Sequence, residues 1–283
     1  MTTQKVQGTG FRHAQILALG SNLLPLVASA GATAYEGVTV DGVRALTLNT
    51  PEPQIVHHAG EDRVMQVDFL PPTEAATGEL TTGMMNLTLD ALLSNVNVVD
   101  IGDMKVEWEG TDQQGNEIQA CIVAYRQGLV ADKSLADFGA RRWEFVLIPV
   151  AKVYPRKGPW EQGGDDENTY TVQPQIASAY PWGIALAEDT EGHTQGQIAR
   201  GIAVGRPKLV AWLGDGSTTE FNLPATAKLD SSDTPKIQLY HWVASTETAS
   251  DVTSSETLAA DSVTFTAAPA EDDIVVAFYE LAD

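Results

Sequence analysis

An alternation of apolar and polar residues with a period of two recurs along this chain from residue 35 onward. Residues 65–69 (MQVDF) and 104–109 (MKVEWE) both show this alternation. It is typical of β-strands that rest one face on a core and leave the other in water. Helix signals are few: Asp90 can cap a short helix that ends near Asn95. The sequence therefore predicts an all-β protein, a β-sandwich or barrel, with one short helix.

One segment breaks the alternation. In Trp143–Val150 (WEFVLIPV) only Glu144 is charged, and strand geometry predicts positions 143, 145 and 147 on one face and 146, 148 and 150 on the other. Both faces are apolar, so both need a cover. Because a single sandwich covers only one face of a sheet, the second cover must come from another element or from another subunit. We expect neighbouring subunits to join by extending one sheet with the next. The predicted interface residues are Trp143, Val146, Ile148 and Val150.

The pattern divides the chain into four parts. Residues 1–34 have apolar anchors without a regular period, which predicts an N-terminal arm that orders on contact with a neighbour. Residues 35–198 carry the main β-domain, and the Gly-bearing stretch 199–207 is a predicted flexible linker. Residues 208–283 predict a small β-sandwich. From residue 206 onward the chain has 13 acids and 4 bases, a net charge of −9.

Charge and residue usage exclude several classes of function. The formal net charge is −21, and no dense Lys/Arg cluster is present, which disfavours attachment to nucleic acid or to an anionic membrane. A single cysteine, Cys121, excludes an internal disulfide and a cysteine-based zinc site. No apolar stretch has the length of a membrane span. Residues 11–32 have some features of a signal peptide, but polar residues interrupt their apolar middle.

Candidate chemistry is sparse, so we expect neither catalysis nor a cofactor. His57 and His58 are adjacent on a predicted strand and point to opposite faces, so they cannot easily share a metal ion. The acidic run 165–167 lacks the spacing of a calcium loop. The sequence also lacks nucleophile-elbow, phosphate-loop and zinc-protease motifs. Exposed tryptophans would favour sugar binding, but packing is the more common use of this residue.

Three runs carry a resemblance to a known family. They are 77–95 (TGELTTGMMNLTLDALLSN), 105–127 (KVEWEGTDQQGNEIQACIVAYRQ) and 141–155 (RRWEFVLIPVAKVYP), and a Gly-rich loop and NTYTVQP (168–174) follow. Over about residues 30–190 the chain resembles the major tail tube proteins of long-tailed bacteriophages. The C-terminal segment 214–224 (GDGSTTEFNLP) resembles the small β-domains appended to many virion proteins.

The resemblance implies a structural virion protein that is made in the host cytoplasm and located in the tail. It implies stacked rings, usually hexameric, around a channel through which DNA passes without specific binding. Implied partners are other copies of the chain and the neighbouring tail proteins: the tape measure, the terminator and the distal tail protein. On this basis Glu107, Glu109 and Asp112 are predicted at an acidic lumen. The predicted ring-stacking residues are Phe11, Ile16, Leu17, Leu23 and Trp160.

The C-terminal domain is expected to project outward, where it would not block the channel, and to be dispensable for tube formation. Two alternatives stay open from the sequence. One is another virion component, such as a tail terminator or decoration protein. The other is an extracellular carbohydrate-binding or hydrolytic β-sandwich.

Overall fold

A computed structural model provides the structure of the protein. It describes residues 6–8, 13–49, 54–60, 63–70, 77–83, 87–94, 97–101, 104–108, 118–130, 141–156, 168–175 and 198–282. These residues form antiparallel β-sheets and one short helix, α1 (Leu87–Ser94), which confirms the predicted all-β fold. No helix among them has the length and apolar character that a membrane span needs.

The strands are numbered in chain order. Before residue 205 they are β1 (Val6–Gly8), β2 (His13–Leu19), β3 (Val38–Asp41), β4 (Val43–Asn49), β5 (Gln54–Gly60), β6 (Arg63–Leu70), β7 (Thr77–Thr82), β8 (Asn97–Ile101), β9 (Met104–Trp108), β10 (Ile118–Val130), β11 (Arg141–Arg156), β12 (Asn168–Pro174) and β13 (Ala199–Ala203). After it they are β14 (Arg206–Leu213), β15 (Glu220–Asn222), β16 (Ile237–Val243), β17 (Thr248–Asp251), β18 (Thr257–Leu258), β19 (Ser262–Thr264) and β20 (Ile274–Leu281).

The main sheet is built on the long antiparallel pair β10–β11. Its strand order is β3-β2-β10-β11-β12-β7-β4, with β1 added beside β10 and β13 beside β11. The two ends of this order, β3 and β4, are separated in the chain by Gly42 alone, whose φ is +75°. One bent segment therefore pairs with β2 in its first half and with β7 in its second, and it closes the sheet into a barrel.

Alternating side chains of these strands fill the barrel, and α1 packs against them through Leu89 and Leu93. We call the filled interior the barrel core. It consists of Ala14, Ile16, Val40, Val43, Leu80, Leu89, Leu93, Ala120, Ile122, Ala124, Val146, Ile148, Ala151, Val153, Tyr170 and Val172. Asp90 is not the cap that the sequence predicted, because α1 begins at Leu87 and places Asp90 in its first turn. Its carboxylate accepts a hydrogen bond of 2.9 Å from the hydroxyl of Tyr170.

A bulge changes the predicted faces of β11. Ala120 pairs with Ala151, but Ile122 pairs with Ile148, so β11 carries one extra residue between these pairs. The extra length falls at Pro149–Val150, where proline has no N–H to donate to the ladder. Val150 therefore lies on the same side as Leu147 and not with Val146 and Ile148, in contrast to the sequence prediction.

Residues 206–282 form a second unit, the C-terminal module. Its sheets have the orders β14-β20-β16-β17 and β15-β19-β18. The two sheets enclose the module core: Val210, Trp212, Phe221, Leu223, Ala227, Ile237, Leu239, Val263, Phe265, Val275, Ala277, Tyr279 and Leu281. The β-sandwich expected at this end of the chain is therefore present.

The predicted N-terminal arm and the predicted linker both contain β-strands. Residues 13–19 of the predicted arm form β2, whose whole length pairs with β10 in the middle of the sheet. The predicted linker contains β13 and the beginning of β14, so only Val204 and Gly205 separate those strands. The sequence does not mark either segment as a strand, because HAQILAL and ARGIA lack the alternating pattern of a half-exposed strand.

Candidate assembly surfaces

The long pair β10–β11 has a closed end and an open end. Toward Ile118 and Arg156 the pair belongs to the barrel. Toward Val130 and Arg141 two further strands flank it: β1 pairs with Gly128–Val130 of β10, and β13 pairs with Trp143–Leu147 of β11, where β10 still pairs in part with β2 on its other side. Within the described residues neither β1 nor β13 has a strand on its outer side. The open end therefore presents two sheet edges, which are templates for pairing with another chain.

The strand directions at the open end suit repeated pairing between copies of the chain. Each of its three strand pairs is antiparallel, so β1 and β13 run in opposite directions. A second copy placed beside the first would bring its β1 next to β13 in antiparallel orientation. Its sheet would also keep the same face toward the same side. Head-to-tail contacts of this kind close into a ring when the rotation between copies allows it.

One face of the open end is covered by the C-terminal module. Tyr125, Trp143 and Phe145 lie on this face, and the ring of Phe145 is 5.6 Å from that of Phe278 on β20. We call the shared interior the joint core. Its buried members are Leu17, Leu19, Leu24, Cys121, Val123, Tyr125, Leu147, Val150, Leu209, Ala211, Tyr240, Ile274 and Val276. The barrel and the module therefore share one continuous apolar core.

A buried glutamine fastens the two units. The side chain of Gln15 on β2 donates to the backbone oxygen of Leu209 at 2.6 Å and accepts from its N–H at 3.0 Å. It also donates to the backbone oxygen of Glu36 at 2.7 Å. Tyr35 then pairs with Ala211, and the carboxylate of Glu36 forms an ion pair with Lys208. These bonds replace the strand pairing that the outer edge of β14 otherwise lacks.

The opposite face of the open end is polar. Arg126 and Glu144 are cross-strand neighbours, and their side chains form an ion pair at 2.6 Å. Arg142 lies two residues before Glu144 on β11, so it is on the same face of the sheet. Arg200 and Ile202 of β13 also lie on this face. We call this surface the arginine face. Arg200 is exposed and Ile202 is 40% exposed. The joint core occupies the other side of the same strands.

The predicted subunit interface is covered within the chain. Val146 and Ile148 are buried in the barrel core, and Val150 is buried in the joint core. Trp143 is partly buried and meets Tyr125 edge-on, with ring centroids 5.8 Å apart. Of the two covers that the sequence allows, another element of the same chain supplies the second one, and these residues need no other subunit to bury them. The sequence could not show that residues 206–282 return to cover it.

The predicted ring-stacking residues have different outcomes. Ile16 and Leu17 are fully buried in β2, on opposite sides of the sheet, so they present no surface to another ring. Leu23 lies in a turn with φ of +64° and packs partly against the joint core. Phe11 and Trp160 lie outside the described residues.

The predicted lumen residues are less fully described. Glu107 lies on β9, which pairs only with β8 among the described strands, and its register partner is Val98. Glu109 and Asp112 lie outside the described residues. The acidic lumen therefore stays a prediction.

The described residues contain no group of three or more His, Cys, Asp or Glu side chains placed to hold a metal ion. His57 and His58 pair with Val67 and Gln66 within the β5–β6 hairpin. Among the tryptophans of the module, Trp212 is fully buried and Trp242 packs partly against the joint core. Neither offers the open ring face on which a sugar would stack.

Two carboxylates of the module organise turns. Asp215 accepts hydrogen bonds from the hydroxyl and N–H of Thr218 and from the N–H of Ser217, and these bonds lower the pKa of Asp215. Asp230 accepts from the N–H groups of Thr234 and Ser232, which lowers the pKa of Asp230. Both arrangements are local turns in which a carboxylate replaces a backbone acceptor, so they have a structural role.

Comparison with models of protein families found no match, and comparison with curated proteins found none either.

Proposed function

We propose that this protein is a structural subunit of a virion, which assembles with copies of itself into the tail tube of a long-tailed bacteriophage. Support comes from the resemblance carried by residues 77–95, 105–127 and 141–155, and from the all-β fold. The single observation that carries the proposal furthest is the open end. It has two edges of opposite direction on one sheet, β1 beside β10 and β13 beside β11, as a self-assembling subunit needs.

In the proposed ring, β13 of one copy pairs with β1 of the next. The interface then consists of backbone hydrogen bonds along the two edges. At the closed end the bent segment of β3 and β4 joins β2 to β7 and completes the barrel. The sequence also predicts that one subunit's sheet extends the next, but it places the interface at Trp143, Val146, Ile148 and Val150 of β11, whereas the proposed pairing uses the edges of β13 and β1.

This arrangement also gives the C-terminal module a position. Because the module covers one face of the open end, only the opposite face is left to line a central hole. The module then lies on the outer side of the ring, in agreement with the expectation from the sequence that it projects outward. The proposed partners are other copies of this chain, followed by the neighbouring proteins of the tail. The proposed function needs no catalysis and no cofactor.

Ile202→Lys tests the edge. Lysine at an exposed edge strand is a known means of preventing strand pairing, because its charge must give up water when a second strand approaches. We expect Ile202→Lys to keep the fold of the subunit and to reduce ring or tube formation at least tenfold, measured by light scattering after size-exclusion chromatography and by negative-stain microscopy. The matched control is Leu229→Lys, since Leu229 is 41% exposed but lies on the module.

The two variants give a clear decision. Failure of Ile202→Lys to assemble, together with normal assembly of Leu229→Lys, supports pairing through β13. Equal assembly of both variants would refute the edge interface. A wild-type protein that stays monomeric at high concentration, with no rings in micrographs, would refute the proposed tube itself.

A further inference from the structure

Two Asp–Gly pairs occur in the chain, and the structure places them in different surroundings. Asp41–Gly42 lies at the bend between β3 and β4 that completes the barrel, and Asp215–Gly216 lies in the turn after β14. Aspartate followed by glycine cyclises readily, because glycine has no side chain to obstruct attack of its backbone nitrogen on the preceding carboxyl group. The product is a succinimide ring, which water opens to aspartate or to isoaspartate.

The bend leaves both reacting groups of Asp41–Gly42 accessible. The side chain of Asp41 is 70% exposed, and Gly42 is exposed as well. The backbone N–H of Gly42 has no acceptor among the described residues. The carboxyl group of Asp41 bonds to His13 on β2, whose Nδ1 lies 2.6 Å from Oδ1. A proton donor therefore lies beside the oxygen that must leave.

The turn at Asp215–Gly216 holds the same two groups in hydrogen bonds. The N–H of Gly216 donates to the backbone oxygen of Pro269 at 3.0 Å. The carboxylate of Asp215 accepts from the N–H groups of Ser217 and Thr218 and from the Thr218 hydroxyl, at 2.6–2.8 Å. These bonds lower the pKa of Asp215, and an ionised carboxylate is a poor target for a nucleophile. Both groups are therefore committed to other partners.

We infer that Asp41–Gly42 is a site of spontaneous isomerisation to isoaspartate in the folded protein, and that Asp215–Gly216 is protected from it. The inference depends on the surroundings of the two pairs within one chain. It is therefore independent of the proposed function.

The reaction at Asp41 needs only water and the residues at the bend. The backbone nitrogen of Gly42 attacks the side-chain carboxyl carbon of Asp41, and a C–N bond forms. Oδ1 leaves as water, with one proton from the Gly42 nitrogen and one from protonated His13. Water then adds to the main-chain carbonyl carbon of Asp41 and breaks its bond to the Gly42 nitrogen. The main chain now runs through the side-chain carboxyl carbon of Asp41.

Isoaspartate lengthens the main chain by a methylene group at a point where the length matters. The pairing of β3 with β2 ends at Asp41 and His13, and the pairing of β4 with β7 begins at Val43 and Thr82. Val40 and Val43, on either side of the bend, are buried in the barrel core. The isomer therefore weakens the closure of the barrel.

The test follows both sites in full-length protein stored at mildly acidic pH, with a second sample held unfolded in urea. After digestion with trypsin, electron-transfer mass spectrometry measures isoaspartate in peptides 13–44 and 209–228, which contain the two pairs. In the folded protein we expect at least about tenfold more isoaspartate at Asp41, because several hydrogen bonds must break before Asp215 can react. In urea the two sites should react at similar rates.

Three variants sharpen the test. Asp41→Glu keeps the charge, but its longer side chain disfavours cyclisation, so the stored variant should keep its melting temperature while stored wild type loses part of its own. Asp215→Glu is the matched control and should lose as much on storage as the wild type. His13→Gln keeps a hydrogen-bond donor but cannot supply the proton, so it should slow the reaction at Asp41 several-fold.

Equal amounts of isoaspartate at the two sites of the folded protein would overturn the inference, and so would its absence at Asp41. Stored Asp41→Glu that loses as much melting temperature as wild type would overturn the effect on the barrel. An unchanged rate in His13→Gln would overturn the role of His13 as the proton donor. None of these measurements depends on whether rings or tubes form.

Discussion

The two ends of the β10–β11 pair differ in how their neighbouring strands are paired. At the closed end the bend at Gly42 lets one segment pair with both β2 and β7, which completes the barrel. At the open end β1 and β13 have unpaired outer sides within the described residues. The closed end therefore carries stability, and the open end carries the capacity for assembly. Residues on one pair of strands can thus be sorted into those needed for folding and those needed for association.

The largest effect should follow removal of the C-terminal module. The joint core receives Leu17, Val123 and Leu147 from the barrel side, and all are buried beneath the module. Exposing such a side chain costs roughly 1.5–3 kcal/mol, and the total over the joint core approaches the stability of a whole domain, about 5–15 kcal/mol. We expect a chain cut after Gly205 to aggregate or to lack a cooperative unfolding transition in circular dichroism.

The truncation tests an expectation from the sequence. A module on a flexible linker would be dispensable, and the truncated chain would still form tubes. A soluble truncated chain that unfolds cooperatively would show that the joint core contributes little. In that case the barrel folds more independently of the module than their shared core indicates.

The next largest effect is a difference in the free energy of unfolding between substitutions at two isoleucines. Ile148 is fully buried in the barrel core at the closed end, whereas Ile202 lies exposed at the open end. We expect Ile148→Ala to lower the free energy of unfolding by about 2–5 kcal/mol, since it removes buried methyl groups and leaves a cavity. Ile202→Ala should change the stability of the subunit by less than about 0.5 kcal/mol. Urea unfolding of monomeric protein measures both values, and similar decreases would contradict the distinction between the two ends.

A smaller decrease is expected from Gln15→Leu. This substitution keeps an apolar side chain of similar length but removes the bonds to Leu209 and Glu36, and it leaves buried backbone groups without partners. Each such group costs about 1–3 kcal/mol. Urea unfolding of Gln15→Leu should therefore show a decrease of about 2–4 kcal/mol in the free energy of unfolding. Gln175→Leu is the control, because the Gln175 side chain bonds locally, to the backbone of Gln173. Equal stabilities of the two variants would mean that Gln15 does not fasten the module.

The smallest effect concerns pH. The folded state lowers the pKa of Asp215, so its contribution to stability is present above the unfolded pKa, near 4, and is lost as pH falls through the folded value. Asp215→Asn removes this dependence, so its stability should fall less than that of the wild type as the pH is lowered below about 4. Melting temperatures recorded from about pH 5 to about pH 2 measure the difference. Glu220→Gln serves as the control, and a wild-type-like pH profile for Asp215→Asn would contradict the prediction.

The candidate surface was only partly accessible from the sequence. Arg141–Arg142 is one of the densest basic groups of the chain, and strand alternation places Arg142 and Glu144 on one face. Arg126 and Arg200 lie on other strands, and only the register brings them beside Glu144 and Val146. The register was not predictable, because long-range pairing depends on the sum of many contacts and not on local pattern.

By itself the sequence determined the fold class, since the alternation of apolar residues is a local property that each strand carries alone. It also determined that Trp143–Val150 needs a cover on both faces. Only the tertiary structure decided which elements supply those covers: the barrel core on one side and the module on the other. It also decided, through the bulge at Pro149, on which side Val150 lies. Burial satisfies an apolar face whether the cover comes from the same chain or from another, so the sequence pattern could not distinguish the two.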